Sequence, residues 1–184
     1  MARIHNVHGR EIAASVDVVG EILDTLGSSG DRVWASEIWV AEPVVFDRPL
    51  GVGAVGGHGP IRYSVIEYEP GRRIVFEFSP GGGLSGTHRF ELEPLGLDRC
   101  SLTHILETDT ARWMRPLVPI LIGWHDAQVE TAFDRVELEA TGSLEQRTRI
   151  PRWLRIVNGT EIAIGRALGK LPPAPERDSG RVAA

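Results

Sequence analysis

Apolar positions between Val118 and Ala140 recur with helical spacing: Val118, Leu121, Ile122, Val129, Ala132, Phe133, Val136 and Ala140. Steps of three and four put them on one face, so the pattern predicts an amphipathic helix over Arg115–Thr141 with that face buried. One polar residue, His125, sits inside the stripe where a core residue is expected. At 1.5 Å per residue a helix of about 27 residues runs roughly 40 Å, enough to lie across a whole sheet. Pro116 and Pro119 fall in its first turn, where missing N–H donors cost least, and Gly142 is placed to cap its end.

Upstream the period changes to two. Strands are expected over roughly Ile4–Ala13, Val44–Asp47, Gly53–His58, Ile61–Tyr68, Arg73–Ser79, Thr87–Glu93 and Cys100–Glu107, separated by turn-forming residues. Ser15 is an N-cap for a short helix Val16–Leu26, with Asp17 in its first turn, and Gly27-Ser28-Ser29-Gly30 stops it. The stretch Asp31–Pro43 shows no clear period; Trp34 and Trp39 are expected to cover one end of the core. The links Glu69-Pro70-Gly71-Arg72 and Pro94–Asp98 have the length of hairpin turns, which makes the sheet antiparallel. Three regions follow: a body over 1–142, a basic and apolar extension over 143–171 expected to be helical and docked, and a disordered tail over 172–184 opened by Pro172, Pro173 and Pro175.

Apolar content of 42% with 24% charged residues is a globular balance. The charge is divided unevenly. Residues 143–171 hold Arg147, Arg149, Arg152, Arg155, Arg166 and Lys170 against Glu145 and Glu161, or +4; residues 172–184 balance, so the net −5 leaves −9 for residues 1–142. An acidic body argues against a nucleic-acid groove, which needs clustered Lys and Arg. The basic stretch around Trp153 is left with three roles: docking on the body, a homodimer contact, or a peripheral contact with an anionic membrane through 147–171. Cys100 is the only cysteine, so no internal disulfide forms. With no secretory pattern after Met1 and no apolar run longer than Pro116–Trp124, a cytoplasmic location is expected.

A strand, a short helix introduced by Ala14-Ser15-Val16-Asp17-Val18-Val19, a series of antiparallel strands and a long C-terminal helix together resemble the helix-grip fold. This is the superfamily, often labelled SRPBCC, of START lipid-transfer domains, the major birch-pollen allergen and bacterial polyketide cyclase/dehydrase-like proteins. The segments Tyr68–Phe76 and Thr87-His88-Arg89-Phe90-Glu91-Leu92-Glu93 to Ser101-Leu102-Thr103-His104 resemble its successive hairpins. The resemblance spans residues 3–141. It implies an α+β fold in which a curved antiparallel sheet wraps a long C-terminal helix, with an apolar cavity between them that holds a small hydrophobic molecule. Members include carriers, sensors and a minority of enzymes, and the segment after Gly142 has no counterpart in the minimal fold.

Alternation along the second hairpin puts His88, Phe90 and Leu92 on one face, and Leu102, His104 and Leu106 on the facing side, with Phe90 opposite His104. His125 faces the same space from the helix, and His58 joins from its strand. The cavity is therefore expected to be lined by His58, Tyr63, Phe76, His88, Phe90, His104, Leu121, His125 and Val129. The histidines have two functional roles open to them besides a structural one: polar recognition of a ligand carbonyl or hydroxyl in a binding or carrier protein, or acid/base work by His88, His104 and His125 in a cyclase-, dehydratase- or aromatase-like enzyme. No two histidines have a tight local ligand spacing, so neither metal nor other cofactor is expected.

Three other patterns are set aside. Gly51-Val52-Gly53-Ala54-Val55-Gly56 matches a dinucleotide fingerprint by letter, but a strand follows where the phosphate-binding helix is required. Glu67 with Glu69, and Glu91 with Glu93, read as a solvated edge. Asp126 follows His125 but lies about 100° around the helix from it, which argues against a coupled pair.

Overall fold

The computed structural model describes residues 2–172. Seven strands form one antiparallel sheet: β1 (Ala2–Ile12), β2 (Val45–Phe46), β3 (Val55–His58), β4 (Ile61–Glu69), β5 (Arg73–Phe78), β6 (Leu84–Pro94) and β7 (Cys100–Thr110), in the order β1-β7-β6-β5-β4-β3-β2. The long strand β7 alternates buried and half-buried residues along its whole length, as a strand with one face on the core must. Phe90 pairs with His104 and His88 with Leu106, the register expected from the turn position. The arrangement is the α+β helix grip: a curved sheet, a long helix against it, and a further C-terminal helix.

Several ends differ from expectation for local reasons. Helix α1 spans Val16–Leu23, with Ser15 Oγ accepting from the Val18 amide, and stops short of Leu26. Asp24 is drawn to the β4–β5 turn, where its carboxylate accepts the Gly71 amide at 2.9 Å, and Gly27 turns the chain at φ 72°. The close approach depends on Gly20: a Cβ there would lie 2.6 Å from the Gly71 carbonyl oxygen. Strands β6 and β7 both run longer at the cavity end than the pattern predicts, because Leu84–Gly86 pair with Thr108–Thr110 despite the neighbouring glycines.

The predicted single rod over Arg115–Thr141 is instead a 3-10 turn over Arg112–Leu117 followed by helix α2 over Val118–Thr141. Pro116 and Pro119 supply no amide hydrogen, and their rings clash with the carbonyls four residues back, so an α-helix cannot extend further toward the N-terminus. Gly142 caps α2 in the left-handed region at φ 74°, its N–H donating to the Leu138 carbonyl at 2.8 Å. The apolar stripe is fully buried only toward the C-terminal half, at Val129, Ala132, Phe133 and Val136. Leu121, Ile122, Trp124 and His125 are half-buried because they border a cavity.

A second row of contacts fixes the rotation of α2. Alternate residues of β1 meet carboxylates one helical turn apart: Asn6 donates to Asp126 at 3.1 Å, His8 lies 2.7 Å from Glu130, and Arg10 donates to Glu130, Asp134 and Glu137 at 2.9, 2.6 and 3.1 Å. The chain after Gly142 is tied to the same helix, since the Thr148 amide donates to Asp134 and the Glu145 amide to Glu137. It then forms helix α3 over Arg152–Ala167. Leu154 is wholly buried in the core, Asn158 donates to the Ile38 carbonyl at 2.7 Å, and the Trp153 ring lies over Gly123. Ile156, Ile164 and Leu168 stay on the outside with Arg152 and Arg155. No described helix is long and apolar enough to cross a membrane. Most of the tail expected to be disordered, residues 173–184, lies outside the described residues.

Candidate ligand cavity

The sheet, α2, the inner side of α3 and the segment carrying Trp34 and Glu42 line a partly open cavity of about 250 Å³. Strands supply Tyr63, Phe76, Phe78, Phe90 and Leu106; α2 supplies Leu121, Ile122, Val129 and Ala132; α3 supplies Glu161. All nine residues named from the sequence, His58, Tyr63, Phe76, His88, Phe90, His104, Leu121, His125 and Val129, border this one space. The alternation of β6 and β7 brings His88 and His104 to it, and the helical stripe brings His125.

The imidazoles are packed among aromatic rings. Phe76 stacks on His88 at 4.7 Å, Tyr63 meets His88 edge-on at 4.7 Å, and Phe90 meets His104 edge-on at 4.6 Å. His104 and His125 have ring centroids 5.0 Å apart, and His58 lies against Trp34, also at 5.0 Å. Burial in this apolar space, with neighbouring imidazoles adding to it, holds His88 and His104 well below the usual histidine range. Burial likewise pushes His58 down to about 4 and lowers His125, against the opposing effect of Asp126 on the latter.

His104 Nε2 and His88 Nδ1 are 3.4 Å apart, within hydrogen-bonding range. Each neutral ring carries one N–H and one lone pair, so in either tautomeric arrangement the pair uses one donor and one acceptor on itself and keeps one of each. The atoms that remain, His88 Nε2 and His104 Nδ1, are buried and hydrogen-bond to no protein group; the same holds for His58 Nδ1, His125 Nδ1, Trp34 Nε1 and Trp124 Nε1. These six nitrogens belong to residues bordering a single cavity.

The sequence pattern did not place Glu42, Gln128, Trp124 or Glu161 at the cavity, and it assigned Trp34 only to covering one end of the core. Gln128 Nε2 donates to Glu42 Oε2 at 2.6 Å, and that oxygen is 4.0 Å from His58 Nδ1. Burial pushes the Glu42 carboxyl up, Gln128 opposes it, and Glu161 adds to it. Gln128 was within reach of the pattern, because it lies three residues after His125 on the same helical face. Glu42 was not, since it sits in the stretch without a period.

Gly51–Gly56 leads into β3 and no helix follows; at Gly56 a side chain has no room against the Val45 carbonyl. Glu91 is engaged by Arg89 at 2.9 Å and Arg73 at 3.5 Å. The separation expected between His125 and Asp126 is smaller than the helical angle implies: His125 Nδ1 is 3.7 Å from Asp126 Oδ1. The carboxylate leans back toward its neighbour while it also meets β1.

No family model and no curated protein matches the chain. Solved structures match its fold. Norcoclaurine synthase from Thalictrum flavum, in complex with dopamine and hydroxybenzaldehyde, aligns with a TM-score of 0.58 at 16% identity over 79% of this chain and 90% of its own. CalU16 from Micromonospora echinospora aligns at 0.53 and 17% identity over 89% and 87%. A START superfamily protein from Mycobacterium smegmatis aligns at 0.53 and 16% identity over 75% and 97%. At these identities the likeness establishes the START-like helix-grip fold.

Proposed function

We propose that this chain, in its START-like helix-grip fold, is a binding or carrier protein for a small hydrophobic molecule held between the sheet and α2. The observation that carries this is the set of buried, hydrogen-bond-free nitrogens around one aromatic cavity. Buried polar groups are as a rule paired, because leaving one unpaired costs about 1–3 kcal/mol. A ligand that accepts one hydrogen bond and donates another satisfies the unspent pair on His88 and His104 in either tautomeric arrangement. Size limits it further. A dry cavity of about 150 Å³ takes a benzene, so 250 Å³ suits one or two fused rings and is too small to take in both chains of a diacyl lipid. The class is an uncharged hydroxy-carbonyl aromatic.

Binding is favoured over catalysis by the same burial that shapes the site. A general base works best with a pKa near the operating pH, whereas His88 and His104 are held well below it. A second reading, a cyclase- or dehydratase-like enzyme, is supported by one observation: Glu42, a carboxyl raised by burial, stands 4.0 Å from His58 on the cavity wall. There Glu42 is the acid, while His58, pushed down to about 4, is as weak a base as the other cavity histidines.

Trp34 and Trp124 border the cavity, so their fluorescence reports occupancy. Titration with 6-hydroxy-2-naphthaldehyde, whose hydroxyl is too far from its carbonyl to bond internally, and with naphthalene is expected to favour the former by about tenfold or more, the worth of one satisfied buried hydrogen bond. His88→Phe is expected to abolish that preference. Equal binding of the two compounds, or none by either, refutes the proposal. Recovery of the hydroxyaldehyde unchanged supports a carrier. Turnover of a poly-carbonyl substrate that is lost in Glu42→Gln supports the enzyme.

A further inference from the structure

The convergence of His8, Asp126 and His125 where β1 crosses α2 goes beyond a ligand cavity. One donor atom from each lies within 4.8 Å of the other two. His8 Nε2 is 3.1 Å from Asp126 Oδ1, which is 3.7 Å from His125 Nδ1. The opposite nitrogen of His8, Nδ1, is 2.7 Å from Glu130 Oε1, and Asn6 Nδ2 donates to the same Asp126 oxygen at 3.1 Å.

An ion pair alone accounts for only part of this. With one proton on its ring, His8 donates from Nδ1 to Glu130 and turns the lone pair of Nε2 toward an acceptor oxygen of Asp126. His125 Nδ1 adds to the mismatch: it is buried, it makes no hydrogen bond within 3.5 Å, and it stands 3.7 Å from the same Asp126 oxygen. A cation shared by the three donors satisfies all of them together. The Glu130–His8 contact then has a familiar meaning, because a metal-bound imidazole usually donates its other N–H to a carboxylate that fixes its tautomer.

We propose that His8 Nε2, Asp126 Oδ1 and His125 Nδ1 form a binding site for a divalent cation of the late first row, zinc by preference, with Glu130 orienting His8. Two imidazoles and one carboxylate suit zinc, whereas calcium and magnesium call for an all-oxygen shell. Three protein ligands leave a fourth position for water. The Asp126 side chain is 41% exposed, which gives an ion a path from solvent. His125 also borders the cavity, so the cation would sit beside the ligand space without depending on any ligand in it.

The test uses untagged full-length protein stripped with a chelator and titrated with zinc chloride by calorimetry, with cobalt(II) as a spectroscopic substitute. One equivalent is expected to bind, and cobalt is expected to give the visible absorption of a tetrahedral site with nitrogen and oxygen donors. Asp126→Asn and His8→Gln are each expected to weaken zinc by about 100-fold, and Glu130→Gln by about 10-fold, the range for an orienting carboxylate. His88→Gln, which alters the cavity alone, is expected to leave affinity unchanged. Because the His8 and Glu130 variants also loosen the contact between β1 and α2, circular dichroism and unfolding midpoints are measured alongside. Folded Asp126→Asn protein that binds zinc as the parent does overturns the proposal, and so does the absence of a saturable equivalent in the parent. Loss of binding in His88→Gln overturns it too, by placing the ion among the cavity imidazoles.

Discussion

Replacing His58 by glutamine should change how stability depends on pH, by an amount that follows from its burial. The ring lies against Trp34 at 5.0 Å with its side chain 18% exposed, and burial pushes its pKa from 6.5 down to about 4. In the unfolded chain the same imidazole titrates near its ordinary value, so between the two the unfolded state holds the extra proton and stability falls as pH falls. The loss begins near the unfolded value of 6.5 and is complete near 4. Worked from those two values, it comes to about 2 kcal/mol at pH 5 and about 3 kcal/mol at pH 4. Glutamine keeps much of the size and polarity but does not titrate. Urea unfolding of parent and His58→Gln, followed by tryptophan fluorescence from about pH 7.5 to about pH 4, should therefore give curves that converge on acidification by that amount. Carboxylates remote from His58 cancel in the difference; Glu42, 4.0 Å away, is the one neighbour whose own titration the substitution alters. Parallel curves would refute the claim that His58 is held neutral. A variant that loses ground to the parent as pH falls would show that Glu42, 4.0 Å away, holds His58 as an imidazolium instead.

Arg10→Met removes the guanidinium that three carboxylates share at 2.6, 2.9 and 3.1 Å, with the Arg10 side chain only 16% exposed; about 3 kcal/mol of unfolding free energy should be lost at neutral pH, and Asp134→Asn in the same chain should restore part of it. Unchanged unfolding midpoints in Arg10→Met would mean that the contacts are solvated and carry no weight. Leu154→Ala, at a wholly buried position of α3, should cost about 2–4 kcal/mol and lower the midpoint of a single cooperative transition. A separate early transition in that variant would show that α3 melts independently of the body.

The fold was legible where one period dominates. The two-residue alternation of β6 and β7 gave both facing and register, including Phe90 opposite His104, and the helical stripe gave α2. Legibility ended where tertiary contacts override local signals. The strand expected from Thr87 begins at Leu84 and runs through Gly86, whose backbone lies so close to the Glu107 carbonyl that only glycine fits. Trp34, Trp39 and Glu42 lie in a stretch without a period because their partners are far away in sequence: the Trp39 indole donates to Thr131 and Glu42 accepts from Gln128. The carboxylates Asp126, Glu130 and Asp134 repeat every four residues away from the apolar stripe, which ordinarily marks a solvated face. Their partners on β1 are more than a hundred residues distant, and no local pattern announces them.

Helix α2 thus carries two polar rows that must not be exchanged. His125 and Gln128 face the cavity, where burial tolerates only groups that stay neutral or are hydrogen-bonded. Asp126, Glu130 and Asp134 face β1, where Asn6, His8 and Arg10 answer them. A rotation by one residue, about 100°, would bring a carboxylate into the apolar space and strand its cationic partner, at a cost of several kcal/mol for each unpaired ion. An apolar stripe alone gives weaker discrimination here, because its N-terminal half borders a cavity and tolerates shifts in packing. The charged row therefore sets the angle at which α2 lies over the sheet, and so fixes His125 beside His104. The geometry of the cavity histidines, and with it the proposed ligand recognition, is held from outside the cavity by a row of charges that does not line it.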